Sequence, residues 1–87
     1  MDGFQLRVLT RRRTVLATQA TSILVPGSEG DFQVLRNHAP TVSAMRPGRL
    51  VVDFDGARES IEVTGGFVIV RPDRVDVLLD FEDLKPG

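Results

Sequence analysis

The chain contains no cysteine, no tryptophan and no tyrosine, and its 87 residues include a single histidine, His38. The absence of cysteine excludes disulfide bonds, thiolate catalysis and cysteine-ligated zinc. One histidine is too few for a histidine-rich metal site. The five phenylalanines are the only aromatic residues, which argues against a groove that stacks the rings of a peptide or a sugar. We therefore expect no metal and no cofactor.

The sequence also lacks a large net charge and long hydrophobic runs. Eleven basic residues stand against twelve acidic ones, so the sequence lacks the basic stripe of a nucleic-acid-binding surface. The longest apolar run, Phe67–Val70, is far shorter than the ~20 residues of a membrane-spanning helix. Residues 1–4 show no signal-peptide pattern. Because 41% of the residues are hydrophobic and 26% are charged, we expect one soluble, intracellular domain with no nucleic-acid partner.

The sequence does have a clear period of two. Apolar and polar residues alternate in short runs rich in Val, Ile, Thr and Phe, which is typical of half-buried strands. Turn residues separate the runs about every 8–12 residues, and Asp55-Gly56 favours a tight type I′ hairpin. The pattern predicts an all-β fold, a small two-sheet β-sandwich or flattened barrel of about 9–10 strands. The runs lie near residues 3–10, 14–18, 20–26, 31–35, 41–45, 49–54, 58–64, 66–71 and 74–80.

Some apolar residues lie out of step with the alternation around them. In a sandwich only one face of each sheet lies in the core, so this surplus predicts an apolar partner surface. A β-bulge that reverses the alternation, or a barrel-like corner that covers both faces, explains the same pattern equally well. The surplus residues are Leu9, Leu16, Val51, Val68, Val70 and Leu78.

A long loop region from Pro26 to Pro40 carries most of the special-geometry residues of the first half and the only histidine. Its glycines permit unusual backbone angles, and its prolines fix φ, so we expect a stiff rim on a β scaffold. Rigid loops of this kind are typical recognition elements. His38 lacks a nucleophile-elbow serine or another matched catalytic group, so we expect it to order the loop or to contact a partner. The sequence does not predict an enzyme.

Three further clusters have structural explanations. Asp53 and Asp55 lie around a hairpin, but the spacing of a calcium loop is absent. Gly65-Gly66 is followed by no Lys-Ser or Lys-Thr, so a turn or bulge is favoured over a phosphate loop. Arg11–Arg13 is shorter than the basic clusters that bind membranes, and a charged connection between edge strands is the preferred interpretation.

Three segments carry a family resemblance. Pro26–Leu35 is a glycine-acidic-hydrophobic run, and His38–Pro40 with Met45–Gly48 is similar to the pair His-Ala-Pro and Leu-Lys-Pro-Gly. Val63–Val70 is similar to Val-Ser-Gly-Gly-Phe followed by apolar residues, and Val75–Leu78 continues as Val-Thr-Val-Leu does. In this order and spacing the segments resemble the epsilon subunit of F-type ATP synthases, in its N-terminal β-sandwich domain. The resemblance covers nearly the whole chain.

The resemblance implies a non-catalytic rotor subunit in the central stalk of the synthase. Such a subunit binds the gamma subunit with one face and the polar loops of the c-ring with its rim, and it transmits torque without performing chemistry. The surplus apolar residues above are the expected gamma contacts. The expected c-ring contacts are Asp31, Phe32, Val34, Leu35, Asn37 and His38. Asn37 stands where the family usually has Gly, and asparagine tolerates the left-handed conformation that such a turn needs.

The resemblance also sets expectations for the domain boundaries and the location. Residues 1–84 are expected to form the sandwich and residues 85–87 a frayed tail, without the C-terminal helices that the family uses for inhibition and ATP binding. The protein is expected at the cytoplasmic face of the bacterial inner membrane, attached through the complex and not inserted. The alternative from another class is a stand-alone β-barrel module that binds a peptide or a sugar.

Overall fold

Nine β-strands form most of the described part of the chain, residues 3–80, in a computed structural model. No helix occurs within these residues. Each expected strand is present, with ends that differ from the prediction by at most two residues. The strands are β1 (Phe4–Leu9), β2 (Thr14–Ala20), β3 (Ser22–Val25), β4 (Phe32–Val34), β5 (Thr41–Met45), β6 (Gly48–Phe54), β7 (Ala57–Val63), β8 (Gly66–Val70) and β9 (Arg74–Leu79).

The strands form two sheets. The large sheet has the order β2-β1-β9-β8-β5, and the small sheet has the order β4-β3-β6-β7. Neighbouring strands are antiparallel except for β1 and β9, which pair in parallel. The expected all-β, two-sheet sandwich is confirmed. The expected boundary at residue 84 and the tail of residues 85–87 lie outside the described residues.

The core lies between the sheets and is built from the inward positions of the alternating strands. Val68 pairs with Val77 and Val70 with Val75, so the pairs across β8 and β9 present branched side chains to the same face. Each fully buried aliphatic side chain contributes about 1.5–3 kcal/mol relative to an exposed one. The buried apolar residues are Phe4, Leu6, Val8, Ala20, Ile23, Val25, Val34, Met45, Leu50, Val52, Val63, Val68, Val70, Val75 and Val77.

Two tight connections show why glycine occurs where it does. Asp55 and Gly56 both have positive φ, 54° and 76°, which confirms the expected two-residue hairpin between β6 and β7. Gly66 begins β8 with φ 129°, and a Cβ on this residue would collide with the carbonyl oxygen of Leu78. The Gly-Gly pair therefore lets β8 approach β9 closely, as the turn or bulge interpretation predicts.

The strand pairing defines two ends of the large sheet. At one end Met45 is opposite Gly66, and Gly66 is opposite Leu79. At the other end Thr41 is opposite Val70, and Val70 is opposite Val75. We call these the Met45 end and the Thr41 end.

Candidate functional site

The outward face of the large sheet follows from the pairing, because opposite residues on neighbouring strands point to the same face. Near the Met45 end, Leu9 is opposite Leu78, Leu78 is opposite Phe67, and Phe67 is opposite Ala44. These residues form one apolar row across four strands. Phe67 is 52% exposed and Leu78 is 38% exposed, so the row is open to solvent.

The next row towards the Thr41 end extends the apolar surface. Ile69 is opposite Val42, which is 70% exposed. Together the two rows define an apolar patch on the outward face of the large sheet. Exposed apolar patches of this kind are typical of interaction sites. The apolar patch consists of Leu9, Val42, Ala44, Phe67, Ile69 and Leu78.

Three of the six surplus apolar residues point inward: Val68 and Val70, and Leu16, which pairs with the buried Val8. The prediction was wrong for Val68 and Val70, which are 0% and 2% exposed and belong to the core. The reason is their pairing with Val77 and Val75, which sets the inward face of β8. Side chains enclosed in this way are not available to a partner. Phe67 and Ile69, which alternate with them, occupy the outward positions instead.

The surplus residues other than Val68 and Val70 fall on three different surfaces. Leu9 and Leu78 lie side by side in the apolar patch. Leu16 is opposite Val8 and packs against the edge of the core, next to a bulge in the pairing of β1 and β2. Val51 lies on the outward face of the small sheet beside Leu24. The structure therefore brings together two of the six, Leu9 and Leu78. In β8 the outward positions are occupied by Phe67 and Ile69 and not by Val68 and Val70.

Phe67, Ile69, Val42 and Ala44 were missed as surface residues. A run with apolar residues on both faces does not reveal which face is inward, and Phe67–Val70 is such a run. The alternation of the next strand indicates which face is inward, because Val75 and Val77 clearly alternate with polar residues and fix the inward face of β9. Applying the same alternation across the β8–β9 pairing assigns Val68 and Val70 to the core.

A basic patch adjoins the apolar patch towards the Thr41 end. Arg7 Nε donates to Asp76 Oδ1 at 3.0 Å, and Arg71 Nη1 donates to Asp76 Oδ2 at 3.1 Å. The Asp76 side chain is 10% exposed, whereas those of Arg7 and Arg71 are 44% and 41% exposed. Arg74, exposed and opposite Gln5, completes the basic patch of Arg7, Arg71 and Arg74 around Asp76.

Asp76 stays ionised because its two arginines outweigh its burial. Burial by itself raises the pKa of Asp76, but the hydrogen bonds and charges of Arg7 and Arg71 more than offset this, and the net pKa is lowered. Both carboxylate oxygens are occupied. The network is therefore a fixed feature of the outward surface, without a free base.

The loop before β4 is held by an arginine that the sequence did not single out. Arg46 Nη2 donates to Asp31 Oδ1 at 2.6 Å, and its Nη1 donates to the carbonyl oxygen of Gly27. The backbone adds bonds from Arg46 N to Pro26 O and from Ser28 N to Ala44 O, both 2.9 Å. A Cβ at Gly27 would press on Phe32 and on a backbone carbonyl, so the loop is tightly packed there. The expected stiffness of this segment rests on these contacts.

The remaining expected rim residues follow the edge of the sandwich where β4 and β5 lie. Phe32 and His38 are in ring contact, with centroids 6.3 Å apart. The turn between them has Asn37 at φ 67°, in the left-handed region expected for this residue. His38 N donates to Leu35 O at 3.1 Å, and Asn37 N donates to Pro72 O at 3.3 Å.

The expected rim residues therefore lie along one edge of the sandwich and do not form a single cluster. Asp31 lies at the Met45 end, while the turn at Asn37 lies against the loop between β8 and β9 at the Thr41 end. Leu35 is 52% exposed, whereas Val34 is 1% exposed and points into the core. The prediction that Val34 lies on the contact surface is therefore wrong, since β4 alternates and Val34 is its inward residue. We call Asp31, Phe32, Leu35, Asn37 and His38 the β4–β5 edge.

The described residues hold no arrangement that suggests chemistry. Asp53, at the hairpin, is bound by Arg58 at 2.7 Å and by Ser22 at 2.9 Å, and these bonds, led by that of Arg58, lower its pKa. A shallow depression of about 490 Å³ beside it contains no paired acid and base. Within residues 3–80 no group of three or more His, Cys, Asp and Glu side chains is placed to hold a metal ion. In the same residues no helix is long and apolar enough to cross a membrane.

Known proteins share this sequence and this fold. The family model of the ATP synthase Delta/Epsilon chain, beta-sandwich domain, matches residues 3–81. The chain belongs to this family. The match includes all nine strands, the loop held by Arg46 and the Gly-Gly start of β8.

Relatives of this Delta/Epsilon-family chain carry the name ATP synthase epsilon chain. The chain is 43% identical to that of Myxococcus xanthus over 87 residues, all of this chain and 64% of that protein. It is 38% identical to that of Dehalococcoides mccartyi over 80 residues, 92% of this chain and 57% of that protein. The chain thus spans less than two thirds of the length of these relatives.

Solved structures show the same sandwich. A chain in the cryo-EM structure of Euglena gracilis mitochondrial ATP synthase, OSCP/F1/c-ring, superposes with a TM-score of 0.84 at 26% identity, covering 88% of this chain and 50% of that one. A chain of the Tetrahymena thermophila mitochondrial ATP synthase central stalk and c-ring gives a TM-score of 0.75 at 15% identity, with 97% and 75% coverage. The second likeness concerns the fold alone.

Proposed function

We propose that this chain is the β-sandwich of an epsilon-type, non-catalytic rotor subunit that links the gamma subunit of an ATP synthase to the c-ring. The observation that carries the proposal is the family match over every described strand. In this role the protein couples rotation of the ring to the catalytic head without chemistry of its own. It works at the cytoplasmic face of the bacterial membrane and is held there by its partners.

Two surfaces of the sandwich suit two partners. The apolar patch on the large sheet spans four strands and includes Phe67 and Val42 in exposed positions, which suits a large protein partner such as gamma. The β4–β5 edge is stiff and combines the polar residues Asp31, Asn37 and His38 with the exposed Leu35, which suits the polar loops of a c-ring. Asp31 is its acidic residue, and Arg46 fixes the position of its carboxylate.

Co-purification tests the gamma contact. The chain is co-expressed with the gamma subunit of the same organism, and the two are expected to elute together at low salt. Phe67→Asp places a charge in the middle of the apolar patch and should abolish co-elution, because a charge desolvated at an interface core is costly. Leu24→Asp is the matched control on the small sheet, where Leu24 is 42% exposed, and it should leave co-elution intact. Failure of the unaltered chain to co-elute with gamma would refute the proposal.

Proton pumping tests the c-ring contact. Asp31→Asn removes the charge and keeps the shape of the side chain, whereas Arg46→Gln removes the arginine that positions it. If the Asp31 carboxylate contacts the ring, Asp31→Asn should reduce ATP-driven proton pumping in reconstituted membranes, and Asp31→Arg should reduce it further. Normal pumping by both Asp31 variants, with gamma still bound, would assign the ring contact to another surface.

A further inference from the structure

The outward face of the large sheet carries an excess of positive charge beside the apolar patch. Arg7 and Arg71 bind Asp76, and Arg74 lies two residues before Asp76 in β9; Asp76 is the one acidic residue among the outward positions of the described strands of this sheet. Asp73 shares the connection between β8 and β9 with Arg71, so two carboxylates stand against three guanidinium groups and one positive charge is in excess on this face.

The excess charge is held in a fixed geometry. Asp76 is 7% exposed and bound through both oxygens, so it cannot turn away to neutralise another cation. The two arginines that bind it still expose more than two fifths of their side chains, and guanidinium groups retain free N–H donors after one bond to a carboxylate. These donors are placed to receive further acceptors from outside the molecule.

Docking on the apolar patch would bring this charge into the interface, since Asp76 lies between Arg7 and Ile69 in the same row. Covering an unpaired positive charge with an apolar or basic surface is costly, whereas an acidic surface satisfies it. We infer that the partner of this face is an acidic–apolar protein surface, in which side-chain carboxylates meet Arg7 and Arg71 while an apolar strip covers Phe67 and Leu78. This inference rests on the proposed function, which makes that partner the gamma subunit.

The test is the salt dependence of binding to purified gamma subunit from the same organism. Dissociation constants of the chain are measured by calorimetry at about 50 mM and about 300 mM KCl. Arg7→Gln and Arg71→Gln are each expected to weaken binding about tenfold at the lower salt concentration and to reduce the effect of salt. Asp76→Asn adds one net positive charge to the face and should make the effect of salt steeper.

The opposite effects of Arg7→Gln and Asp76→Asn on salt dependence distinguish a role of the network in binding gamma from a role in stabilising the fold. If the network only stabilised the fold, all three variants would lower the melting temperature and none would change the salt dependence of binding. Arg49→Gln is the control, because Arg49 is 66% exposed on the small sheet, where it lies 3.7 Å from Glu62. It should bind gamma as the unaltered chain does.

The outcomes distinguish the two proposals. Unchanged affinity and salt dependence in Arg7→Gln and Arg71→Gln, with binding still lost in Phe67→Asp, would overturn the acidic partner and leave the gamma contact standing. Arginine-dependent binding to vesicles of anionic lipid, with none to gamma, would overturn the inference in favour of a membrane. If the unaltered chain does not bind gamma, both the proposed function and this inference fail.

Discussion

Phe67 and Val68 are chain neighbours with opposite surroundings, and this contrast gives a strict test of the β8 register. Val68 is fully buried opposite Val77, whereas Phe67 is 52% exposed in the apolar patch. Val68→Ala removes two methyl groups from a packed core. The lost transfer free energy is about 1.6 kcal/mol, and the cavity raises the cost to about 2–3 kcal/mol.

Phe67→Ala removes a larger side chain at a smaller cost to stability. Because only about half of the Phe67 surface is covered, we expect a loss of about 1 kcal/mol or less in the free energy of unfolding. For a domain of this size, 1 kcal/mol corresponds to about 4–8 °C in melting temperature. Val68→Ala should therefore melt roughly 10–20 °C lower than the unaltered chain, and Phe67→Ala only a few degrees lower.

Thermal unfolding followed by circular dichroism measures both shifts, and a gamma-binding assay completes the contrast. Phe67→Ala should weaken gamma binding, while any folded Val68→Ala protein should bind normally below its melting temperature. The reasoning is refuted if the order of the two melting shifts is reversed, since that would exchange the inward and outward faces of β8. It is also refuted if Val68→Ala, although folded, loses gamma binding and Phe67→Ala keeps it.

Three more predictions follow from the ion pairs and the Gly-Gly turn. In a double-mutant cycle of Asp31→Asn and Arg46→Gln, chemical denaturation should give a coupling of about 0.2–1 kcal/mol, because the pair is exposed; a coupling of zero would show that the pair adds nothing to stability. Because the pKa of Asp76 is lowered in the folded state, its ionised carboxylate stabilises the fold above the unfolded-state pKa of about 3.9, and this stabilisation is lost as the pH falls below that value. Asp76→Asn should therefore flatten the fall in melting temperature at acid pH. An unchanged pH profile would refute the ionised network. Gly66→Ala should cost about 3 kcal/mol or more through its positive φ and the collision with Leu78, and a melting temperature equal to that of the unaltered chain would show that β8 can move away.

The strands were predictable because their signals are local. Alternation and turn residues act within about ten residues of one another, and the Asp55-Gly56 hairpin depends on two backbone angles alone. The glycines and prolines of the loop predicted its stiffness, whereas the left-handed turn at Asn37 was expected from the family resemblance. Neither result required knowledge of how distant strands pair.

The face of each apolar residue was predictable only where one side of a strand is polar. Val75 and Val77 alternate with charged residues, and their burial was anticipated correctly. Val68 and Val70 lie in a run that is apolar on both sides, and pairing with β9 decides which side is inward. Val34 was assigned to the contact surface because its loop was considered as a unit, without the alternation of β4.

The ion pairs could not be predicted, because they join residues far apart in the chain. Arg46 and Asp31 are 15 residues apart, and Arg7 and Asp76 are 69 apart. Their meeting depends on sheet order, which composition and periodicity leave undetermined. Arg7 meets Asp76 because β1 lies beside β9. Arg46 meets Asp31 because the end of β5 lies beside the loop of Gly27.

The parallel pairing of β1 with β9 has a consequence for the time at which this protein can fold during synthesis. Within residues 3–80 the first strand and the ninth strand lie side by side, and β9 separates β1 from β8 in the large sheet. A nascent chain that has emerged only as far as Pro72 lacks the central strand of its large sheet, so Val8 and Val68 lack their shared neighbour Val77. Closing so long a loop is slow, and the apolar surfaces stay open to other chains until it happens. We expect cooperative folding only after β9 has left the ribosome, and until then the unpaired apolar strands are exposed to aggregation.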